Sequence, residues 1–514
     1  MRLVLLCATF VSLGCSLNTP VRASDHPNVL IVTVDDMSCD SIGVFGCPVP
    51  ETTPAIDAFA KTALRFTKAH VLVGNCMPGR NLMWSGLYSH VNGVEGFRQN
   101  PEPDYPVLCD LAKDAGYFTA IRGKVNHSTP YTPYAWDAVL DTDADGKKYG
   151  VKDVESYGKS TRDAIRLAKQ ADKPFCLMVN ISDPHKPFYS QGFKEGKSDP
   201  NVPSKIYTAD EVAVPGFLFD DPVVRDELAL YYSSVRRADD CFATVMDALQ
   251  QEGAADETMV MFLSDHGMPL PFAKTQLYHH STHTPLMIRW PGRTKPGSID
   301  DQHMVSAIDF LPTLIDVMGM SHPTPDRLHG RSFAPALTGQ TVDGFRYVIK
   351  QYNENSGRWR QPMRGIQTSQ WLYLYNPWSD GKRVFSTATN GTNTARRMAE
   401  LARSNPDIQR RYDIYQHRTV EELYFVPNDP DCRVNLLEQP AGDRAKVQQT
   451  VDKLREQLAM ELERIQDPVA PLVRDVENAQ LRQQYMEGQD QFGDQLRGKK
   501  RKRGNQKKSS STAG

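Results

Sequence analysis

Residues 28–36 read Asn-Val-Leu-Ile-Val-Thr-Val-Asp-Asp, an apolar run that stops on two carboxylates. A run without polar alternation is buried on both faces, as in a parallel strand covered by helices. Three later stretches share the form. Tyr117–Lys124 (YFTAIRGK) ends on a lysine, Pro174–His185 (PFCLMVNISDPH) on a histidine, and Thr258–Gly267 (TMVMFLSDHG) on Asp265 and His266. Ligand sites of open α/β sheets lie beyond the carboxyl ends of the strands. Asp35, Asp36, Lys124, His185, Asp265 and His266 are therefore expected along one sheet edge. One polar strand end means little, because most only begin a turn. Four together form a site.

The segments between read as helices: Pro54–Lys68, Pro78–Leu87, Val107–Ala115, Ser160–Gln170, Pro222–Gln251 and Asp309–Met318. The alternation predicts an α/β fold with a large central sheet, mostly parallel or mixed, flanked by helices. Beyond residue 345 the pattern changes. Arg346–Lys350, Met363–Gln367 and Gln370–Tyr375 alternate as antiparallel strands do, and Glu421–Phe425 adds another. Residues 376–420 read as a helical insertion and Arg444–Ile465 as a charged helix. The expected organisation is a main domain at 24–344, a smaller C-terminal α+β subdomain with an antiparallel sheet at 345–468, and a polar, then basic, disordered tail at 469–514.

With 514 residues, 40% hydrophobic and 24% charged, the chain can bury a large core. Residues 1–23 have the form of an export signal: Arg2, the apolar stretch Leu3–Leu13, and Val21-Arg22-Ala23 before a cleavage point. That stretch is too short to span a bilayer, so no stable membrane insertion is expected. The mature chain is expected to be periplasmic or secreted. Lipid attachment through Cys15 is disfavoured, because Ser12 and Leu13 stand in the wrong order for it. Cleavage leaves Cys39, Cys47, Cys76, Cys109, Cys176, Cys241 and Cys432, an odd number, so at least one stays unpaired within the chain. Cys176 reads as core, while Cys39 and Cys47 are near enough to close a small loop. The balance of 60 Lys and Arg against 62 Asp and Glu hides an asymmetry: eight of the bases, and no acid, lie between Arg497 and Gly514. An export signal argues against a nucleic-acid arm. Clustered bases suit a polyanion such as a sulfated glycan.

Asn75–Arg80 (NCMPGR) sets a lone thiol before a proline and an arginine. Pro78 suits the first turn of a helix. Cys76 then stands at a helix N-terminus, where backbone N–H groups favour anions. These flanks suit neither a disulfide nor an apolar filler.

The C-x-P-x-R core, Cys76 to Arg80, resembles that of the type I, formylglycine-dependent sulfatases of the alkaline-phosphatase-like superfamily. Asp35-Asp36, Gly123–His127 (GKVNH), Asp183–Pro187 (DPHKP), Ser264–Gly267 (SDHG), Lys274–Tyr278 (KTQLY) and Glu421–Pro430 (EELYFVPNDP) follow the family order, over residues 27–465. The resemblance implies an alkaline-phosphatase-like sandwich. It implies that a formylglycine-generating maturation enzyme converts Cys76 to Cα-formylglycine. One hydroxyl of the hydrated aldehyde then attacks sulfur, and the other later ejects sulfate. It implies one calcium ion (Ca2+) among Asp35, Asp36, Cys76, Asp265 and His266. It gives Arg80 the task of holding the diol, and Lys124 and Lys274 that of binding sulfate oxygens. His127 is the implied base for elimination, and His185 the acid for the leaving group. Gly79 and Ser85 depart from the family's usual Ser and Thr. His266 stands where Asn is commonest, as in iduronate sulfatases. His279, His280 and His283 read as a loop at the substrate entrance, with a second metal site as the less favoured reading.

Within the family, Ser264–Tyr278, Val214–Pro222 (VPGFLFDDP), Arg237–Asp240 (RADD) and Met363–Gln367 resemble the heparan N-sulfatases (sulfamidases). Gly123–His127 and His266 are more similar to iduronate 2-sulfatases. The implied substrate is a sulfated sugar, as sulfamate or ester, in a glycosaminoglycan-like polysaccharide or its fragments. Two rivals stand beside it. A phosphatase or phosphodiesterase of the same superfamily would use Ser or Thr with two zinc ions. A non-catalytic sulfated-glycan-binding protein would keep Cys76 as a thiol.

Overall fold

The Asn28–Asp35 run forms strand β1, in the interior of an eight-stranded sheet. The other strands are β2 (Leu64–Phe66), β3 (Phe118–Arg122), β4 (Ala138–Val139), β5 (Phe175–Pro184), β6 (Thr258–Ser264), β7 (Leu286–Arg289) and β8 (Ile299–Asp300). The computed structural model describes residues 26–143, 145–193, 197–439 and 444–511, with backbone alone from Lys499 onward. The expected export signal, with Cys7, Cys15 and Ala23, lies outside the described residues. Sheet order is β4-β3-β5-β1-β6-β7-β2-β8. Strands β4 to β6 along this order are parallel, and β7 is antiparallel to both its neighbours. The four apolar runs with polar ends are thus the neighbours β3, β5, β1 and β6, and their carboxyl ends meet at one edge.

Side chains of β1 alternate between two cores, as the pleat requires. Leu30, Val32 and Val34 pack with Ile165 of the Val154–Gln170 helix and Leu228 and Val235 of the Pro222–Gln251 helix. Val29 and Ile31 pack on the other face with Leu82, Met83 and Trp84 of the Cys76–Ser85 helix and Leu311 and Leu314 of the Phe310–Met318 helix. Each such side chain contributes about 1.5–3 kcal/mol by leaving water, which explains the absence of polar alternation along β1.

A second sheet holds β9 (Tyr347–Glu354), β10 (Arg360–Thr368), β11 (Trp371–Tyr375) and β12 (Glu421–Phe425), in the order β12-β11-β10-β9 and antiparallel throughout. Helices Asn393–Leu401 and Pro406–His417 occupy the insertion expected at 376–420. No helix among the described residues is long and apolar enough to cross a membrane.

Two expectations need correction. The helix expected over Pro54–Lys68 stops at Ala60, and Leu64–Phe66 enters the sheet instead. Leu64 and Phe66 are buried while Arg65 is not, a period of two that pairing with β7 and β8 fixes. The tail expected to be disordered from 469 is helical at Ala470–Arg474 and Ala479–Ser511. Its polar average conceals a stripe at Tyr485, Gln489, Phe492 and Leu496, spaced to lie on one helix face.

Candidate active site

Asn75 is extended (φ −150°, ψ 122°), and Cys76 opens a ten-residue helix that Gly86 ends in the left-handed region. The Asn75 side chain does not cap this helix; its Nδ2 donates to the Glu354 carbonyl at 3.3 Å. First-turn N–H groups are thereby left for an anion. Every residue of the helix is buried. Cys76 Sγ lies 3.2 Å from His266 Nε2 and 3.9 Å from Asp36 Oδ1.

The carboxylates arrive from β1 and β6. After Val34 the register with β5 shifts, and Asp36 takes a left-handed φ of 68°, which turns the chain out of the sheet. Its N–H donates to Asp265 Oδ1 at 3.0 Å. His266 Nδ1 donates to the Gly267 carbonyl at 3.0 Å. With Nδ1 donating, Nε2 is the ring nitrogen that faces the carboxylates, 3.1 Å from Asp36 Oδ1 and 3.8 Å from Asp265 Oδ1. Ligand atoms of Asp35, Asp36, Cys76 and His266 all lie within 4.8 Å of one another, the one such group among the described residues. Both Asp35 oxygens are buried; they face the Lys124 and Arg80 cations, and the carboxylate also lies against Asp265. Three buried carboxylates and an imidazole nitrogen crowded together fit a divalent cation.

Burial and the Asp35 charge push the Asp265 carboxyl up. Burial would do the same to Asp35, but Lys124, His185 and Arg80 outweigh it and hold that carboxyl well below the usual range. Arg80 is locked by Asp265, Nε–Oδ2 3.1 Å, and by Asn180 Oδ1 at 2.5 Å. Asn180 was not singled out from the sequence. Its only signal was polarity within an apolar strand, β5. Its Nδ2 also donates to the Gly123 carbonyl at 2.9 Å. Gly123 has φ 73°, and a Cβ there would lie 2.7 Å from the Asn180 carbonyl oxygen, so only glycine fits before Lys124.

Lys124 pairs with Asp35, and Lys274 Nζ lies 2.6 Å and 2.8 Å from the Asp36 oxygens. Burial would lower both lysines, but Asp35 and Asp36 respectively reverse it and keep them protonated. His127 packs edge-on against Phe97, centroids 5.7 Å apart, and its Nδ1 is buried without a partner. Burial, then Lys124 and Arg80, push His127 down to about 3. His185 Nε2 is 4.0 Å from Asp36 Oδ2, and its side chain is 36% exposed, so it meets solvent. The structure thus gathers Asp35, Asp36, Cys76, Arg80, Lys124, His127, His185, Asp265, His266 and Lys274 around one centre.

The second histidine group differs from expectation. His279 and His280 begin a one-turn helix, His279–Thr282, rather than a loop, and His283 caps it. Gln367 Nε2 donates to His279 Nδ1 at 2.8 Å, and His283 Nε2 donates to the Thr67 carbonyl at 2.9 Å. His280 bridges Asp40 at 3.3 Å and Asp431 at 3.1 Å. These rings are spent on packing and tethering. All seven described cysteines are free thiols, so Cys39 and Cys47 are unbridged, and Cys176 lies fully in the core.

The family model described as sulfatase matches residues 27–320, and one described as N-sulphoglucosamine sulphohydrolase, C-terminal, matches residues 265–381. The chain belongs to the sulfatase family. As a sulfatase it is a hydrolase. It is 28% identical over 467 residues to N-sulphoglucosamine sulphohydrolase of Homo sapiens, covering 84% of this chain and 89% of that protein. It is 26% identical over 462 residues to an ulvan-active sulfatase of Formosa agariphila, covering 85% and 84% respectively. Among solved structures, a 2-O GAG sulfatase is similar in fold, with a TM-score of 0.62 at 19% identity over 86% of this chain and 93% of that one.

Proposed function

We propose that this sulfatase releases sulfate from sulfated sugars of glycosaminoglycan type, acting on N-sulfated glucosamine as a heparan N-sulfatase does. It would use Cys76, oxidised to Cα-formylglycine, and one calcium ion. The observation that carries the reading is the convergence of Cys76 with Asp35, Asp36 and His266 within 4.8 Å, beside two protonated lysines. The 28% identity to N-sulphoglucosamine sulphohydrolase over 84% of the chain supports the sulfamate substrate. A second reading, an O-sulfatase similar to iduronate 2-sulfatases, draws on His266 among the cation-binding groups. The same reading takes the chain as exported after cleavage near Ala23, with a catalytic domain at 24–344 and a subdomain at 345–468.

Formylglycine supplies a hydrated aldehyde, a nucleophile able to shed the sulfate it accepts. A calcium ion held by Asp35, Asp36, residue 76, Asp265 and His266 would supply polarisation and charge neutralisation. The chain's own groups do the rest. The helix start at Cys76 favours the sulfate anion through free N–H groups. Lys124 and Lys274 present ammonium groups to its oxygens as negative charge builds. Arg80, fixed by Asp265 and Asn180, holds residue 76 in place. His127, kept neutral, can accept a proton on an unengaged nitrogen. His185, at the solvent side, can hand a proton to the leaving nitrogen or oxygen.

Two measurements test this. Mass spectrometry of the Cys76 peptide, from protein produced with a maturation enzyme, is expected to give the aldehyde mass; thiol throughout refutes the mechanism. Ion chromatography of sulfate released from glucosamine N-sulfate and from a 2-O-sulfated uronic acid separates the two substrate readings. The first is expected to react.

A further inference from the structure

The Ala479–Ser511 helix docks beside the candidate active site through two short segments. One is residues 95–98. Phe97 packs on His127, and Arg98 lies over the Phe492 ring at 5.6 Å. The other is the β9–β10 hairpin tip. Glu354, whose carbonyl holds the Asn75 side chain, pairs with Arg360 at 3.2 Å. Arg360 covers Phe492 at 5.2 Å and donates to Gln489 Oε1 at 2.9 Å. Further along, Arg497 stacks on Trp359 at 4.0 Å and donates to the Arg358 carbonyl at 2.8 Å. At Gly493 the approach is close: a Cβ would lie 3.2 Å from Arg360 Cγ and 3.3 Å from the Arg358 carbonyl oxygen.

This docking ends at the hairpin tip, and there the basic run begins. Residues 499–508 read KKRKRGNQKK, seven bases and no acid. The helical backbone from Arg497 to Ser511 extends about 20 Å at 1.5 Å per residue. Like charges at helical spacing repel and destabilise the helix that carries them. The rest of the chain holds more acids than bases, so its general field repels a polyanion. The concentrated basic run follows in sequence directly on the part of the helix that docks beside the site, and its charge is opposite to that general field. Trp359, 52% exposed at the root, adds an aromatic surface of the kind that packs on sugar rings.

We propose that this basic helix end is a second binding site, an arm that holds the chain of a sulfated polysaccharide while one of its sugars occupies the Cys76 pocket. The inference rests on the sulfated-sugar reading above and adds that the substrate is a polymer. Full-length protein is compared with a variant carrying Lys499→Gln, Lys500→Gln, Arg501→Gln, Lys502→Gln and Arg503→Gln, which leaves the Phe492 and Arg497 contacts intact. Turnover of 4-nitrophenyl sulfate is measured with heparin as competitor. Turnover without heparin is expected to be equal in the two forms. The heparin concentration for half-inhibition is expected to rise on the order of tenfold in the variant at low salt. That difference should vanish at about 0.3 M salt, where screening shortens the reach of the charges. Equal inhibition at low salt overturns the proposal. So does arm-dependent binding to phosphatidylglycerol vesicles without an arm-dependent heparin effect, which would assign the segment to a membrane surface. If neither form turns over 4-nitrophenyl sulfate, the catalytic reading fails instead, and calorimetric heparin affinity of the two forms still decides the arm.

Discussion

His266 and the trio His279, His280 and His283 lie in the same connection, between β6 and β7, yet their rings serve opposite ends. His266 has one nitrogen fixed by a carbonyl and the other turned to Asp36 at 3.1 Å. In the trio, Gln367 holds His279 Nδ1, the Thr67 carbonyl holds His283 Nε2, Asp40 and Asp431 flank both His280 nitrogens, and the His279 and His283 rings stack at 4.7 Å. What would suit a histidine to a ligand's part is therefore the second nitrogen, turned into a cluster of carboxylates. Spacing of i and i+4 cannot report this, because it fixes which rings are neighbours and not where their lone pairs point.

The largest effect tests the centre that His266 faces. Cys76→Ala is expected to lower sulfate release by at least about a thousandfold, as loss of a nucleophile does. The thermal midpoint should barely move, since one buried sulfur is lost. Turnover above a tenth of the parent value would refute the nucleophile. The next pair of variants is aimed at the comparison itself. His266→Ala is expected to weaken calcium affinity and turnover about 10–100-fold. His279→Gln is expected to leave both unchanged and to cost about 1 kcal/mol of stability through its lost hydrogen bond. Calorimetric calcium titration and denaturant melts read the two quantities separately, and equal calcium losses would erase the distinction.

Acidification separates the groups in another way. Burial pushes His70, His279 and His283 below their ordinary value, so the folded protein keeps these rings neutral. The unfolded chain takes up their protons as pH falls through about 6.5. Their stabilisation is thus complete above that pH and is lost below it, at up to about 1.4 kcal/mol per pH unit for each ring. His280 runs the other way. Burial opposes its proton, but Asp40 and Asp431 outweigh burial and raise it, so its contribution is present in acid and lost as pH rises. Denaturant melts between pH 8 and pH 5 should show a falling stability that His283→Gln makes shallower. An unchanged slope would mean that the ring is not neutral in the folded protein.

Much of this was legible in the sequence because the site hangs on strand ends. Apolar runs announce buried strands, and the polar residue that stops each run is the one the site uses. Asn180 was missed because it sits inside such a run, and nothing local says that it braces Arg80 and Gly123. Strand β2 was missed because three residues gain their structure only by pairing with β7 and β8, distant in the chain. The terminal helix was missed because composition averages over faces. Its apolar stripe becomes visible only when Phe492 is set against Arg98 and Arg360.

The smallest expected effect concerns Gly79, behind the segment that carries His266. A Cβ there would meet the Val73 carbonyl oxygen at 3.5 Å, Val73 Cγ1 at 3.7 Å and the Asp265 carbonyl oxygen at 3.9 Å, all ordinary contacts. A serine hydroxyl has carbonyl acceptors within reach, and leaving glycine in a helix interior gains about 0.5 kcal/mol. Gly79→Ser should therefore fold with equal or slightly higher stability. Turnover per converted Cys76, with conversion counted by mass spectrometry, should stay within about twofold. A tenfold fall would mean that Asp265 and His266 keep their positions only because the helix behind them has no side chain at this point. The placement of His266 Nε2 beside Asp36 would then depend on helix packing as well as on the ring's hydrogen bond to Gly267.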